Sequence, residues 1–190
     1  MVYSLEALQK EYLDGNTYEF LFFWGHTPAA DGSINKACLS QWWMQGFDVD
    51  GIRYSCAEQY MMAEKARLFG DNEMLERIML ASLPKEMKAY GREVRGFDHD
   101  VWEANSQRVV KVASRAKFTQ NPELLRFLLG TDRRILVEAS PRDRIWGIGM
   151  GESNKDAENP LKWRGRNLLG FALTEVRDAV CGPQIMNYKL

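Results

Sequence analysis

The stretch from Ser55 to Asp71, SCAEQYMMAEKARLFGD, constrains the fold more than any other part of the chain. It predicts a helix with a marked start and a marked stop. Ser55 is a favourable N-cap, because its hydroxyl accepts from an otherwise unpaired backbone N–H. Glu58, three residues on, completes a capping box. Gly70 stands where a left-handed residue closes a helix. Between them run strong helix formers and an apolar stripe that includes Tyr60, Met61 and Met62. Glu58 and Lys65 are seven residues apart. Seven steps of about 100° return to nearly one bearing, so both side chains leave one face, two turns apart. Two readings fit this spacing. In one, Glu58 caps the helix and Lys65 is solvated. In the other, an acid and an amine form a charged spot in an apolar wall.

A chain of 190 residues is long enough for one domain with a sizeable core. The formal net charge of −1 excludes a protein that seeks nucleic acid by bulk phosphate neutralisation. Cys38, Cys56 and Cys181 are odd in number and far apart, which fits neither a metal-ligand pattern nor a disulfide framework. Reduced thiols in a cytoplasmic protein are the expectation. Only His26 and His99 are present, so a histidine-rich metal site is excluded and no metal or other cofactor is expected. No apolar run reaches membrane-spanning length, and the N-terminus lacks a basic-then-apolar signal.

Residues 3–13 predict a short amphipathic helix ended by Asp14 and Gly15, an appendage over residues 1–17. Residues 18–24, rich in aromatics, read as a buried strand. A loop follows from Gly25 to Asn35. The segment from Leu39 to Trp43 is loop or short helix. Residues 46–54 predict a hairpin, with Asp50-Gly51 supplying the turn. After the organising helix come short helices over 72–80 and 84–91, with Pro84 in a first turn where proline is tolerated. Residues 99–118 carry a longer helical pattern. Pro122 opens a helix over 122–129 that Gly130 closes, and 135–139 is a short strand. A last amphipathic helix runs from Leu168 to about Val180, with Asn167 as its N-cap. The fold class is therefore mainly α with a few short β-strands, in one α+β domain spanning residues 1–190.

Three constellations carry chemistry beyond the helix. Gly147, Gly149 and Gly151 alternate, but without the spacing or strand-to-helix context of a dinucleotide fingerprint. A tight structural loop and a close backbone approach to a ligand fit them equally. Asp143 lies in a loop beyond a strand, near Trp146. It suits a general acid or a water-orienting base, or an ion pair with Arg142 or Arg144. Arg164, Arg166 and Asn167 precede the last helix, whose N-terminal N–H groups and dipole favour an anion; a basic surface loop is the other reading. No Ser/His/Asp, Cys/His or metal motif stands out. An enzyme built from this chain would work with carboxylates and an amine, at a glycosidic centre or a carbonyl.

These segments, in this order, resemble the NADAR (YbiA-like) superfamily, also described as riboflavin-intermediate N-glycosidases. The resemblance runs from about Phe22 to about Val180. It includes Phe23-Trp24, Tyr54-Ser55-x-x-Glu58-Gln59-Tyr60-Met61-x-x-x-Lys65-Ala66, Gly91-Arg92-x-Val94, Trp102 and Ala116-Lys117-Phe118-x-Gln120-Asn121-Pro122. It continues through Leu136-Val137-Glu138-Ala139-Ser140-x-x-Asp143-x-x-Trp146-Gly147-x-Gly149 and Gly165-x-Asn167-x-Leu169-Gly170. The resemblance implies a mainly helical fold and action on ribose joined to nitrogen. Its two substrate classes are early riboflavin-pathway intermediates and ADP-ribosylated guanine in nucleic acid. It implies that Glu58, Trp102 and Asp143 match positions tied to activity, and adds Lys65, Trp146 and Gly147 as site candidates. It also draws Phe23, Trp24 and Lys117 into the substrate-binding set with Arg164, Arg166 and Asn167. The polar stretch between Gly151 and Trp163 and the N-terminal helix depart from the shared pattern.

The expected chemistry is hydrolysis at the anomeric carbon of an N-riboside, through an oxocarbenium-like state. Glu58 would stabilise the cation and activate water, and Asp143 would serve the leaving nitrogen, or the two would exchange roles. Trp102 and Trp146 would stack on the base or wall the sugar. The arginine loop would hold a phosphate. Lys65 has two expected roles: keeping Glu58 ionised by Coulomb attraction, or attacking the open-chain aldehyde to form a Schiff base. The partner is then a small N-riboside or an ADP-ribosylated guanine, with no membrane and no obligate protein partner. A non-catalytic nucleotide-binding module, and an interaction protein using exposed Met61, Met62 and tryptophan side chains, are the rival readings.

Overall fold

A computed structural model describes residues 3–182. In chain order the elements are α1 (Leu5–Leu13), β1 (Phe20–Phe23), β2 (Phe47–Val49), β3 (Ile52–Tyr54), α2 (Ala57–Leu68), α3 (Asn72–Leu80) and α4 (Pro84–Arg92). There follow α5 (His99–Thr119), α6 (Pro122–Leu129), β4 (Ile135–Glu138) and α7 (Leu168–Cys181), with single 3-10 turns at Lys36–Leu39 and Pro160–Lys162. The fold is mainly helical α+β, as the sequence pattern predicts. The chain forms two compact units: a central one, Gln41–Leu124, and a flanking one made of the chain up to Ser40 with the chain from Leu125 onward.

In the central unit, α2 packs against α3, α4 and α5. Its alanines, methionines, glutamates and lysine are strong helix formers. Residues 57–63 are all buried, so the first two turns are enclosed on every face rather than along one stripe. Burying Met61 and Met62 contributes about 1.5–3 kcal/mol each. Gly91 on α4 makes the close approach possible: a Cβ there would lie 2.0 Å from Met62 Sδ. The hairpin forms as expected, with Asp50 and Gly51 both at positive φ, 51° and 77°.

The start of α2 corrects the predicted capping box. The N-cap is Cys56, and its side chain makes no cap bond. Ser55 turns its N–H and hydroxyl to Gln59 Oε1, at 2.7 and 3.0 Å. Gln59 Nε2 in turn donates to the carbonyls of Ile78 and Met79 at the end of α3, both at 3.1 Å. Gln59, not Glu58, thus ties two helix ends together, satisfying groups that a helix leaves unpaired. The stop is as predicted: Gly70 has φ +69° and donates to Arg67 O.

In the flanking unit, β1 and β4 pair in parallel, from Phe20 with Ile135 to Phe23 with Glu138. Phe22, Val137, Ile148, Met150, Trp163 and Phe171 build the core, and Leu8 brings the N-terminal helix α1 into it. α7 lies directly on β4. Its Thr174 hydroxyl accepts from Leu136 N–H, and a Cβ on Gly170 would meet Leu136 O at 2.1 Å. Among the described residues, no helix is long and apolar enough to cross a membrane.

Candidate functional site

Lys65 emerges from the last turn of α2, half-buried. Its ammonium donates to the Gly91 carbonyl at 2.7 Å, one of the main-chain acceptors that the end of α4 leaves open. Phe97 covers it, with the ring centroid 4.2 Å from Nζ, and the Trp102 ring lies 6.0 Å away. Phe69 meets Phe97 edge-on at 5.4 Å. The two rings that cover the amine are placed by one helix start. Asp98 is the N-cap of α5, its side chain accepting from Val101 N–H. Phe97 precedes that cap and Trp102 follows in the first turn, the positions of a hydrophobic staple. Gly96, at φ +69°, turns the chain into this arrangement.

Burial, and then the like charge of Arg92, lower the pKa of Lys65 from its ordinary value. The Gly91 carbonyl and the Phe97 ring oppose them, since both favour a cation. Arg92 is the charged group that adds to burial in lowering the pKa of Lys65. Seven residues of helix separate Glu58 and Lys65 by about 10 Å along the axis.

Glu58 is 5 % exposed, with its backbone N–H given to Gln41 O at 3.0 Å. Lys117, on α5, is 1 % exposed, and its ammonium stands 5.2 Å from the Phe118 ring. Both charges act on Cys56, Glu58 raising its pKa and Lys117 lowering it, while burial is the largest influence and pushes the thiol up. Cys56 is accordingly a buried thiol rather than a nucleophile. The burial of Lys117 fits a structural charge inside the unit better than the substrate contact expected of it. Met61 and Met62 are buried too, which removes the reading of an interaction protein that uses them.

The flanking unit treats its predicted residues differently. Asp143 Oδ1 accepts from the N–H groups of Ile145 and Trp146 at 2.9 and 2.8 Å, so the carboxylate shapes its own turn. Gly147 is packed against its surroundings: a Cβ there would lie 2.8 Å from Glu138 O. Gly149 needs its φ of +67°. The tight structural loop is thus the reading this segment takes.

Asn167 is fully buried and left-handed, at φ 55°. It occupies the N-cap position of α7, but its amide makes no cap bond. It clasps β4 instead, donating to Leu136 O at 3.0 Å and accepting from Glu138 N–H at 2.9 Å. The N–H groups of Leu168 and Leu169 are given to Ile145 O and Trp146 O. The phosphate role expected of Asn167 and of this helix start is therefore corrected: these donors are already used.

Arg164 is exposed and Arg166 partly so, on a segment whose backbone bonds the Asp143 loop through Arg164 N–H to Ile148 O and Arg166 N–H to Arg144 O. Trp146 is half-buried. Phe23 is 1 % exposed and belongs to the core, whereas Trp24 is 63 % exposed. Among the described residues, no group of three or more His, Cys, Asp or Glu is placed to hold a metal ion.

Arg92 and Phe97 were not singled out as site residues from the sequence. An aromatic residue before the Asp98 cap, with Trp102 four residues beyond that cap, was the readable signal.

An amine covered by aromatic rings on a mainly helical α+β frame defines the class, and the NADAR domain model matches residues 22–181: the chain belongs to the NADAR domain family. N-glycosidase R617 of Acanthamoeba polyphaga mimivirus is 39 % identical over 167 residues, covering 85 % of this chain and 96 % of that one. N-glycosidase YbiA of Escherichia coli is 34 % identical over 130 residues, covering 68 % of this chain and 72 % of that one. The NMR structure of Escherichia coli YbiA superposes with a TM-score of 0.70 at 26 % identity, covering 92 % of each chain.

Proposed function

We propose that the chain is an N-glycosidase that hydrolyses the C1–N bond of a phosphate-bearing N-riboside. The substrate class proposed is early riboflavin-pathway intermediates, the ribosylaminopyrimidine phosphates. The observation that carries this reading is Lys65: an amine anchored on Gly91 O, covered by Phe97 and shifted toward its neutral form by burial and Arg92. The N-glycosidase relatives support the bond type.

The geometry favours the Schiff-base role for Lys65 over charge tuning. In a glycosylamine whose nitrogen bears a hydrogen, the ribose ring opens to an imine between C1 and that nitrogen. Neutral Lys65 adds to C1, passing one proton to the substrate's nitrogen, and that nitrogen leaves as the free amine with the second proton that Lys65 gives up as its own imine forms. Water then adds to the lysine imine, releasing the ribose aldehyde and restoring the amine. Glu58, on the same helix, is the carboxylate proposed to move protons for the attacking water. Trp102 is proposed to stack on the planar base. Asp143, Trp146, Trp24, Arg164 and Arg166 remain candidates for substrate contacts.

Guanine bearing ADP-ribose on its exocyclic nitrogen satisfies the same chemistry, so the test presents both substrates. Purified protein is incubated with a ribosylaminopyrimidine phosphate or an ADP-ribosylated guanine oligonucleotide, and each is followed by mass, with and without borohydride. Turnover of the first, with a reduced adduct on Lys65, is the expected result. Turnover of the second alone replaces the substrate but keeps the bond. Binding without release of base from either substrate overturns the enzymatic reading in favour of a nucleotide-binding module.

A further inference from the structure

We propose that Phe97 is a positioning residue that acts through Lys65: together with the Gly91 carbonyl, it fixes the direction in which the lone pair of the amine points. This role rests on the Schiff-base reading of Lys65 and adds to it the direction from which C1 is attacked.

Both contacts are direct. Lys65 Nζ donates to Gly91 O at 2.7 Å, and the Phe97 ring centroid lies 4.2 Å from the same nitrogen. An oxygen and a ring this close to one atom cannot share a direction without overlapping. A neutral amine has four tetrahedral directions, taken by the bond to Cε, two hydrogens and a lone pair. The carbonyl accepts one hydrogen. The ring face accepts the other, in a weak N–H···π contact. The lone pair is left with the fourth direction. The Trp102 centroid, at 6.0 Å, is too far from Nζ to hold a hydrogen in this way. Addition then forms the Nζ–C1 bond with that lone pair, and the two hydrogens are the ones the departing nitrogen collects. Aligning the attacking orbital in advance is part of what holding reactants in place contributes to rate.

The ring is held firmly, yet the core does not need it. Phe97 is 44 % exposed, so much of its apolar surface gains nothing from burial. Phe69 meets it edge-on. The chain is pinned on both sides of it. Arg95 gives its backbone N–H, Nε and Nη2 to the Asp71 carboxylate at 2.8, 3.0 and 2.6 Å. Asp98 accepts from Val101 N–H at 2.9 Å. Gly96 alone separates Arg95 from Phe97, and its φ of +69° is a turn that other residues rarely make. A large ring left this exposed on a segment pinned this tightly serves the amine rather than the core.

The test compares two reagents on one nitrogen. Acetic anhydride in trace amounts reports how much neutral amine is accessible. Ribose 5-phosphate with borohydride reports attack on a sugar aldehyde, which also needs the lone pair aimed. Folded wild-type, Phe97→Leu and Phe97→Tyr proteins meet each reagent at one pH, and both modifications of Lys65 are read by peptide mass. The ratio of trapping to acetylation is expected to fall about 5- to 10-fold in Phe97→Leu and to stay near wild type in Phe97→Tyr. Pentafluorophenylalanine at position 97 keeps nearly the same shape but reverses the polarity of the ring face, and should lower the ratio as leucine does. In turnover, Phe97→Leu should lower kcat by a similar factor with KM little changed. An unchanged ratio in Phe97→Leu or in the fluorinated protein overturns the proposal, because Phe97 would then only cover the amine. So does a rise in KM with the ratio unchanged, which would make Phe97 a substrate contact. Failure of the Schiff-base reading looks different: wild type acetylates at Lys65 but traps no sugar, and the role of Phe97 falls with it.

Discussion

The Lys65 cluster and the Asp143–Asn167 segment carry equally conspicuous residues, yet they use their polar groups in opposite ways. Lys65 donates one hydrogen bond, to a main-chain carbonyl, and keeps its nitrogen beside two rings. Asp143 and Asn167 turn inward: one carboxylate oxygen takes two backbone N–H groups, and the amide of Asn167 clasps both sides of β4. A polar group keeps chemistry to offer only where the fold has not already consumed it. By that standard the central unit has the stronger claim to reactivity, and the flanking segment the stronger claim to architecture.

The comparison can be broken most directly at its two anchors. Lys65→Met is expected to cut turnover at least about a thousandfold, roughly 4 kcal/mol of barrier, with the melting temperature near wild type. Retained turnover would end the contrast, because the cluster would then hold no reactive group. Glu58→Gln is expected to abolish turnover while sparing the fold; near wild-type kcat would remove Glu58 from the reaction. Asn167→Leu should do the reverse of Lys65→Met. It leaves the buried Leu136 carbonyl and Glu138 N–H unpaired, at a cost of roughly 2–5 kcal/mol in denaturant unfolding. Should that variant keep full stability but lose phosphate-dependent KM, Asn167 would rejoin the binding set.

Smaller effects sharpen the same contrast. Gly91→Ala places a methyl group against Met62, an overpacking worth about 1–3 kcal/mol. Because it also shifts the carbonyl that holds Lys65, its loss of kcat should exceed what its stability predicts. Equal losses would argue that the anchor does not matter. The gentlest test is acid. Asp71 is held below the usual carboxylate range by bonds from the Arg95 side chain and backbone N–H, which tie down the 93–98 segment bearing Phe97.

A carboxyl lowered in the folded state stabilises it above the unfolded pKa, near 3.9, and that contribution fades as pH falls below this value. The Asn167 amide does not titrate. Amide protection, corrected for intrinsic exchange, should therefore fall around 93–98 before it does in the Asn167-clasped strand at 136–138 as pH drops below about 3. Simultaneous loss would mean the two segments are held alike.

Local signals explain what was legible. Asp50-Gly51, Pro84, Pro122 and Gly70 act within a few residues, and the hairpin and helices they imply are where the sequence pattern puts them. Partners distant in sequence were not legible. Ser55 met Gln59 rather than Glu58 because Gln59 also serves the end of α3, some twenty residues on. Asn167 is a plausible cap in isolation, and only the arrival of β4 gives its amide better work. The pairing of β1 with β4 likewise joins strands more than a hundred residues apart.

For the site, the Glu58–Lys65 spacing identified a helix and a face. It did not reveal that Lys65 would be governed from α4 and the loop beyond it. The resemblance named motif positions without separating those that hold the fold from those still able to react.

The Lys65 anchor has a practical consequence. Its partner is the peptide oxygen of Gly91, an atom that every amino acid carries. A side-chain substitution there can shift that oxygen but never delete it. To probe the contact itself, the amide would have to be exchanged for an ester, by installing a hydroxy acid in place of Arg92. The weakened acceptor would then loosen the lysine without altering the Gly91 side.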